Sequence, residues 1–530
     1  MKPVRAFHPP LFAIYPVLSL YASNVSLIPW EEILIPIAVL LSASALAWLT
    51  LSLILREHSR AATSVTVATI GFFCYGLTDT FTRESQTPFS PNLWLGLVAL
   101  AAVGAGWKAK WNRGAATFLN VVSVLLTGFA LISIARSHWA IAKELASAQD
   151  KLGKLSADKD RYARPDIFYI ILDGYGRTDT FEKEYGFSDQ DFIQALEGKG
   201  FYVAKHARTN YVQTELSLAS SLNLNYLDKF MKRTGNPSEE RGILDQKIDE
   251  SEVSKFLKGL GYRYFAITTG FPALRFKSAD VAIEQESGGS LFINALRDLT
   301  PFPTAETGYQ SQYTVRRKHI EGGFHALESL ASPGAAPKFV VLHVLAPHPP
   351  FVFGPNGESR LPKGPFGFWD GSHFHDLSAG RNDYVSGYRD QAKYIAKRTL
   401  QALERVFGKA TSPPVVIIQG DHGPKNELNQ DSLEKSNLDE VFGILNALYV
   451  PDSVRRQLDR NLTPVNTFRT LFTAMFGANL PRLPDRSYFS PWGAPLDFVD
   501  VTDRLSTSPE ETEPNPAVRE FPTNSAGTSP

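Results

Sequence analysis

Two short segments of this chain place a carboxylate where a run of β-branched residues stops. They are Ile171-Leu172-Asp173-Gly174 and Gln419-Gly420-Asp421-His422-Gly423, the second adding an imidazole beside its carboxylate. An aspartate and a glycine after a strand are by themselves a turn signal. Two such turns on predicted parallel strands, with a histidine attached, also make a donor set that suits a divalent cation such as Mn²⁺, Zn²⁺ or Mg²⁺. Between them lies the stretch from Thr209 to Leu222, in which Thr214 stands where an extended segment turns into a helix. A hydroxyl there meets the positive end of the helix, where backbone N–H groups also hold an anion. Threonine is a weak nucleophile at neutral pH, and coordination to a divalent cation brings its alkoxide within reach. The plainer alternative is an N-cap threonine with no other task. Ser217, one helical turn further in, is the rival nucleophile.

These residues need a scaffold that brings distant segments together. β-Branched and aromatic runs predict strands at 166–172, 262–268, 338–344, 414–419 and 444–450, and helical periodicity predicts helices at 188–199, 214–223, 250–259, 317–330, 386–407 and 465–476. Continuous apolar strands alternating with helices imply an α/β domain whose mostly parallel sheet is sandwiched by helices. In such sheets the ligand site lies beyond the carboxyl ends of the strands. Asp173, His348, Asp421 and His422 all follow a predicted strand.

The 530 residues carry 54 Lys and Arg against 54 Asp and Glu, which removes the basic excess of a nucleic-acid binder. The charges are segregated, however. Residues 1–138 hold nine basic and five acidic side chains, and five apolar runs fill that stretch at about 8–28, 33–55, 61–82, 92–107 and 116–135. Each is close to the roughly 20 residues a membrane-crossing helix needs, so a five-span anchor is expected. Basic residues fall at the N-terminus (Lys2, Arg5), in the second loop (Arg56, Arg60) and in the fourth (Lys108, Lys110, Arg113), against Arg83 alone in the third. By the positive-inside rule those three are cytoplasmic, and an odd number of spans places the rest of the chain outside the cytoplasm. Residues 139–164 read as an amphipathic linker helix, 165–504 as the extracytoplasmic domain, and the Pro-, Ser- and Thr-rich 505–530 as a disordered tail. The sole cysteine, Cys74, lies in an apolar run, which excludes intramolecular disulfides and cysteine-based zinc sites.

Taken in order, Asp173-Gly174, the Asn210-to-Ser220 segment around Thr214, His343-Val-Leu-Ala-Pro-His348-Pro-Pro-Phe351 and Gly420-Asp421-His422-Gly423-Pro424 resemble the sulfatase-like branch of the alkaline phosphatase superfamily. With apolar spans in front, the layout is similar to membrane-bound lipoteichoic acid synthase-like and phosphoethanolamine transferase-like proteins. The resemblance covers about residues 165–480. It implies one divalent metal ion held by Asp173, Thr214, Asp421 and His422, with Thr214 doubling as covalent nucleophile. It further implies that His348 contacts the phosphoryl oxygens or protonates the leaving group, and that His343 and Lys425 assist in substrate binding. A core histidine and a solvated lysine are the plain alternatives for those two. His373 and His375 become candidates for substrate contact or a second metal. The Cys or Ser followed by Pro and Arg that true sulfatases convert to formylglycine is missing around Thr214, and so are the disulfides usual in phosphoethanolamine transferases. Asp173 stands where the transferases often carry Glu.

The resulting expectation is an enzyme of the inner or plasma membrane whose outer domain moves a phosphoglycerol- or phosphoethanolamine-type head group from a lipid to a lipid or glycan acceptor. A sulfatase-like hydrolase using water is the alternative within enzymes. A non-catalytic membrane protein that binds envelope components is the alternative outside them.

Overall fold

A computed structural model describes residues 6–25, 28, 30–76, 78, 90–107, 112–148, 163–270, 274, 276–284, 291–302, 306–360 and 381–505. They form two compact units, one of Met1–Asp150, Lys232–Asp245 and Glu286–Arg316, the other of Lys151–Met231, Gln246–Gln285 and Arg317–Pro530.

In the first unit a helix stands at each of the five apolar runs: α1 (His8–Ala22), α2 (Leu34–Leu55), α3 (His58–Phe73), α4 (Pro91–Trp107) and α5 (Asn112–Ala148). α1 packs along α2, α3 and α5, and α3 packs along α2 and α4. The expectation of five spanning helices is met in part. Among the described residues, two helices are both long and apolar enough to cross a membrane, Trp30–Leu55 and Gly114–Lys143, each with a mean hydropathy of 2.2. α4 is apolar but shorter. α1 and α3 have 15 and 16 residues, about 22–24 Å of helix against roughly 30 Å of hydrocarbon. The reasons are local. α1 stops at Ala22, short of the end of its apolar run, and Asn24 folds its side-chain amide back onto the Leu20 carbonyl at 2.8 Å. α3 is diluted by Ser59, Thr63, Ser64, Thr66 and Thr69, and its Ser64 hydroxyl donates to the Ala102 carbonyl of α4 at 2.9 Å. The outer faces of α2 and α5 leave Ile35, Leu46, Leu53, Phe118, Phe129 and Ile132 exposed, a surface suited to hydrocarbon rather than water.

No glycine or proline interrupts residues 129–148, so α5 continues through Trp139 as one 37-residue helix. The segment read as a linker helix is thus, up to Ala148, the end of α5; residues 149–162 and the tail from 506 lie outside the described residues. The same unit takes in a helix from far along the chain. Leu291–Asp298 places Phe292 and Leu296 in one apolar cluster with Val17, Leu18, Tyr21 and Ala130. There the Gly76 N–H donates to the Leu299 carbonyl at 3.2 Å, and a Cβ on Gly76 would lie 2.4 Å from the Asp298 carbonyl oxygen, so only glycine allows this approach.

The second unit is built on a seven-stranded mixed sheet of order β2-β7-β6-β1-β5-β3-β4. Its strands are β1 (Ile167–Leu172), β2 (Tyr202–Val203), β3 (Arg263–Thr268), β4 (Val281–Glu284), β5 (Lys338–Val344), β6 (Val415–Gln419) and β7 (Asn446–Tyr449). β7 alone runs against its neighbours; the β6-β1-β5-β3-β4 pairs are parallel. β1, β5 and β6 are buried at every residue, which is why they read as unbroken apolar runs and not as alternating ones. Each fully buried Ile, Val or Leu contributes about 1.5–3 kcal/mol. Register brings the central strands to a common end, with Ile171 of β1 opposite both His343 of β5 and Gln419 of β6.

Two helices matter most for the site. α6 (Thr214–Leu222) is buried at all of its residues, and α7 (Arg381–Lys409) turns Tyr384, Tyr388, Gln391, Ile395 and Thr399 inward.

Candidate active site

The three central strands deliver their chemistry at the same edge. Asp173 follows β1, His343 is the next-to-last residue of β5 with His348 in the loop beyond, and Asp421 and His422 follow β6. The turns that carry the ligands are sterically narrow. Gly174 has φ +74°, a left-handed conformation that glycine adopts without strain. A Cβ on Gly420 would sit 2.3 Å from the Tyr175 carbonyl oxygen, and one on Gly423 would sit 2.2 Å from that of Glu440. The glycines on either side of Asp421-His422 are therefore required by backbone crossing.

Asp173, Asp421 and His422 are all buried, and their ligand-type atoms lie within 4.8 Å of one another. His422 Nε2 is 3.4 Å from Asp173 Oδ1, 3.5 Å from Asp421 Oδ2 and 3.2 Å from the Thr214 hydroxyl. The other ring nitrogen, Nδ1, is 2.8 Å from the Gly423 carbonyl, a contact that places an N–H at Nδ1 and, in the neutral ring, a lone pair at Nε2. Asp173 Oδ1 and Asp421 Oδ2 are buried without a hydrogen-bonding donor. The cluster thus gathers two carboxylate oxygens that lack a donor, an imidazole nitrogen and a hydroxyl around one point. Acceptors packed in this way in low dielectric are held together by a cation, so the residues present fit a divalent metal ion.

Neighbouring groups orient the carboxylates. Gly174 N–H donates to Asp421 Oδ1 at 2.9 Å, and His343 Nε2 lies 3.2 Å from Asp173 Oδ2. Burial raises the cost of charge on the Asp173 carboxyl, but His348, His343 and His422 more than offset it and hold the group below the usual carboxylate range.

Thr214 is the first residue of α6, the cap position belonging to Gln213, whose side chain makes no cap bond. Its hydroxyl therefore faces His422 and not the helix backbone. Ser217 lies one layer behind: its hydroxyl is 3.2 Å from that of Thr209, which itself donates to the Asp421 carbonyl at 2.6 Å. His348 is nearly buried, with its ring centroid 6.3 Å from that of His422 and its Nδ1 on the Pro349 carbonyl at 2.5 Å. Lys425 is buried, and its N–H donates to the Tyr384 hydroxyl at 3.1 Å. His343 is fully buried against Asp173. His373 and His375 lie outside the described residues.

Comparison with known proteins adds only a general outline. No family model matches the chain, and no curated protein matches it. Several solved structures match the chain at low identity. The C-terminal periplasmic domain of EptC from Escherichia coli is 12% identical, with a TM-score of 0.43 over 67% of this chain and 96% of that one. The integral membrane lipooligosaccharide phosphoethanolamine transferase A from Neisseria meningitidis is 11% identical, with a TM-score of 0.38 over 89% and 97%. BT1596, a 2-O GAG sulfatase, is 12% identical, with a TM-score of 0.39 over 62% and 78%. At these identities and scores the functional reading rests on the site itself.

Several residues around the site gave no signal in the sequence. Glu440, almost fully buried, accepts hydrogen bonds from the Tyr185 hydroxyl at 2.5 Å and from the Asn426 and Glu427 N–H groups at 3.2 and 2.8 Å, bracing the segment that follows His422. Burial pushes its carboxyl up to about 8, against the opposing effect of the bonds from Tyr185 and Glu427. Folding then favours the protonated form. The stability this contributes is complete below the ordinary value of 4.5 and is lost as pH rises through about 8. Glu440→Gln is expected to flatten the decline of Tm across that window, read by thermal melts at a series of pH values. An unchanged slope would assign the decline to other groups.

Proposed function

We propose that the chain is a membrane-anchored, metal-dependent phosphotransferase that moves a phospho-head-group, of phosphoglycerol or phosphoethanolamine type, from a lipid to a lipid or glycan acceptor through a covalent bond to Thr214. The observation that carries this reading is the buried set of acceptors formed by Asp173, Asp421, His422 and Thr214 at the start of α6. Asp173, Asp421, His422 and Thr214 would hold one divalent ion, Mn²⁺, Zn²⁺ or Mg²⁺. When bound, such an ion would neutralise the two carboxylates and favour ionisation of the Thr214 hydroxyl, whose proton leaves to water.

Thr214 Oγ then attacks phosphorus, an Oγ–P bond forms and the P–O bond to the lipid alcohol breaks. His348 gives that alcohol its proton. In the second half the acceptor hydroxyl attacks phosphorus, its proton passes to His348, and the Oγ–P bond breaks to restore the threonine. The N–H groups at the start of α6 face the phosphoryl oxygens and stabilise their charge. His343 orients Asp173, and Lys425 offsets phosphate charge.

For the anchor, we infer that all five helices cross the inner or plasma membrane. The three shorter ones are bundled with α2 and α5, and local thinning of the bilayer accommodates their length. The pattern of basic loops then sets the catalytic unit outside the cytoplasm. Anchoring favours a donor that is itself confined to the bilayer.

The test is a peptide mass spectrum of the full-length protein in detergent after incubation with phosphatidylglycerol and phosphatidylethanolamine. A head-group phosphate on the peptide that contains Thr214 is the expected result. A persistently unmodified Thr214, with head group released at the same rate, would replace transfer through threonine by direct hydrolysis.

A further inference from the structure

Three side chains on one face of α7, none of them a metal ligand, each reach a different loop of the site. Tyr384, Tyr388 and Gln391 are spaced i, i+4 and i+7, the spacing of a single helical stripe, and all three are fully or almost fully buried. Tyr384 takes the segment after His422, because its hydroxyl accepts from the Lys425 N–H at 3.1 Å. Tyr388 takes the turn after Asp173: its hydroxyl donates to the Gly174 carbonyl at 2.7 Å and accepts from the Gly176 N–H at 3.2 Å. Gln391 takes the His348 segment. Its Nε2 donates to the Pro347 and His348 carbonyls at 3.2 and 3.1 Å, and its Oε1 accepts from the Val352 and Phe353 N–H groups at 2.8 and 3.3 Å. That amide has two donors and two acceptor sites, and all four are used.

The helix is packed closely enough to transmit position. The Tyr384 and Tyr388 rings stack at 5° with centroids 6.1 Å apart, and a Cβ on Gly387 between them would lie 2.3 Å from the Phe351 ring. Phe351, which follows His348 by three residues, is thereby set against the same helix.

We propose that Tyr384, Tyr388 and Gln391 are positioning residues which key the three loops carrying Asp173, His422 and His348 to one helix, so that the metal ligands and the proton donor keep a fixed geometry. The part of this inference that concerns metal affinity rests on the phosphotransferase reading above; the keying itself does not.

The experiment uses the full-length protein in detergent and the variants Tyr384→Phe, Tyr388→Phe and Gln391→Met, which keep side-chain bulk and delete the hydrogen bonds, with Tyr394→Phe as a control on the same helix. The Tyr394 hydroxyl bonds Glu321, and its ring, which phenylalanine retains, packs on Phe353. Amide hydrogen exchange by mass spectrometry is the first readout. Each variant is expected to speed exchange in its own loop: around Gly176 for Tyr388→Phe, Lys425 for Tyr384→Phe, and Val352 and Phe353 for Gln391→Met, with no such change in the control. The second readout is Mn²⁺ affinity by calorimetry together with turnover of a soluble aryl phosphodiester. Loss of groups that orient ligands typically costs about 10–100-fold. The tyrosine variants should show that loss in both affinity and kcat. Gln391→Met should lower kcat and shift its pH profile while binding Mn²⁺ as the wild type does. Wild-type exchange in the matching loop, in variants with native melting curves, would overturn the proposal. If one variant fails to fold, the other two still decide it. A wild type that binds no Mn²⁺ would sink the phosphotransferase reading and leave the exchange result to judge the keying alone.

Discussion

Thr214→Ala is expected to lower turnover of a phosphodiester by on the order of 10³-fold or more, while the protein still folds and binds a divalent metal with weakened affinity. The size follows from removing the attacking atom, after which the remaining groups bind and polarise the substrate but form no covalent intermediate. The fold is expected to survive because Thr214 contributes a single side-chain bond, to His422, and alanine is a better helix former. Metal binding should persist because Asp173, Asp421 and His422 keep two carboxylates and one imidazole in place. Ser217 offers no substitute nucleophile, since its hydroxyl is buried behind the site on Thr209. Thr214→Ser should recover much of the rate, because serine presents the same hydroxyl at the same helix position. Steady-state kinetics on the purified variants, with metal content measured in parallel, gives the answer. Full activity of the alanine variant would remove Thr214 from the mechanism.

The second large effect concerns the carboxylates. Asp421→Asn is expected to abolish both metal binding and turnover while leaving the metal-free protein as stable as the wild type, or more so. Asp421 Oδ1 accepts from Gly174 N–H, a bond the asparagine carbonyl keeps. The lost oxygen is Oδ2, buried without a donor and 3.5 Å from His422 Nε2. An amide NH₂ in its place relieves the crowding of acceptors and carries no charge. Only the metal-bound state should suffer. A ligand at about a hundred times its Kd stabilises a protein by about 2.7 kcal/mol. Wild-type Tm should therefore rise by several degrees with Mn²⁺ or Zn²⁺ and fall with a chelator, and Asp421→Asn should show neither response. A variant that still melts higher with added metal would show that the ion sits elsewhere.

Among these residues, legibility followed locality. The strands over 166–172, 262–268, 338–344, 414–419 and 444–450 are found within two residues of where the apolar runs put them, because burial on both faces leaves an uninterrupted β-branched signal. β2 and β4, with two and four residues at the sheet edges, were too short to register. Asp173, Asp421 and His422 stood out because each follows such a run and sits beside a glycine. Tyr384, Tyr388 and Gln391 did not, since an inward tyrosine on a helix has the same periodicity whether it fills a core or holds a loop. Glu440 was equally silent, as nothing local marks a carboxylate that will be buried against three donors. The apolar N-terminal part shows the opposite limit. Hydropathy located five runs but not where their helices end, which is set by the Asn24 turn and by the hydroxyls of α3.

The sequence by itself determined that this chain divides into an apolar, sparsely charged front and a mixed-charge α/β part, and that carboxylates, an imidazole and a threonine stand at strand ends and a helix start. Patterning and turn chemistry are local properties, written in consecutive residues. Only the tertiary structure decided that Asp173, Thr214, Asp421 and His422 meet, that His422 turns its lone pair toward the aspartates, that one helix reaches three site loops, and that Leu291–Asp298 packs among the N-terminal helices. Those facts depend on sheet order and on contacts between residues tens to hundreds of positions apart, and no local pattern encodes which buried surface will close over which.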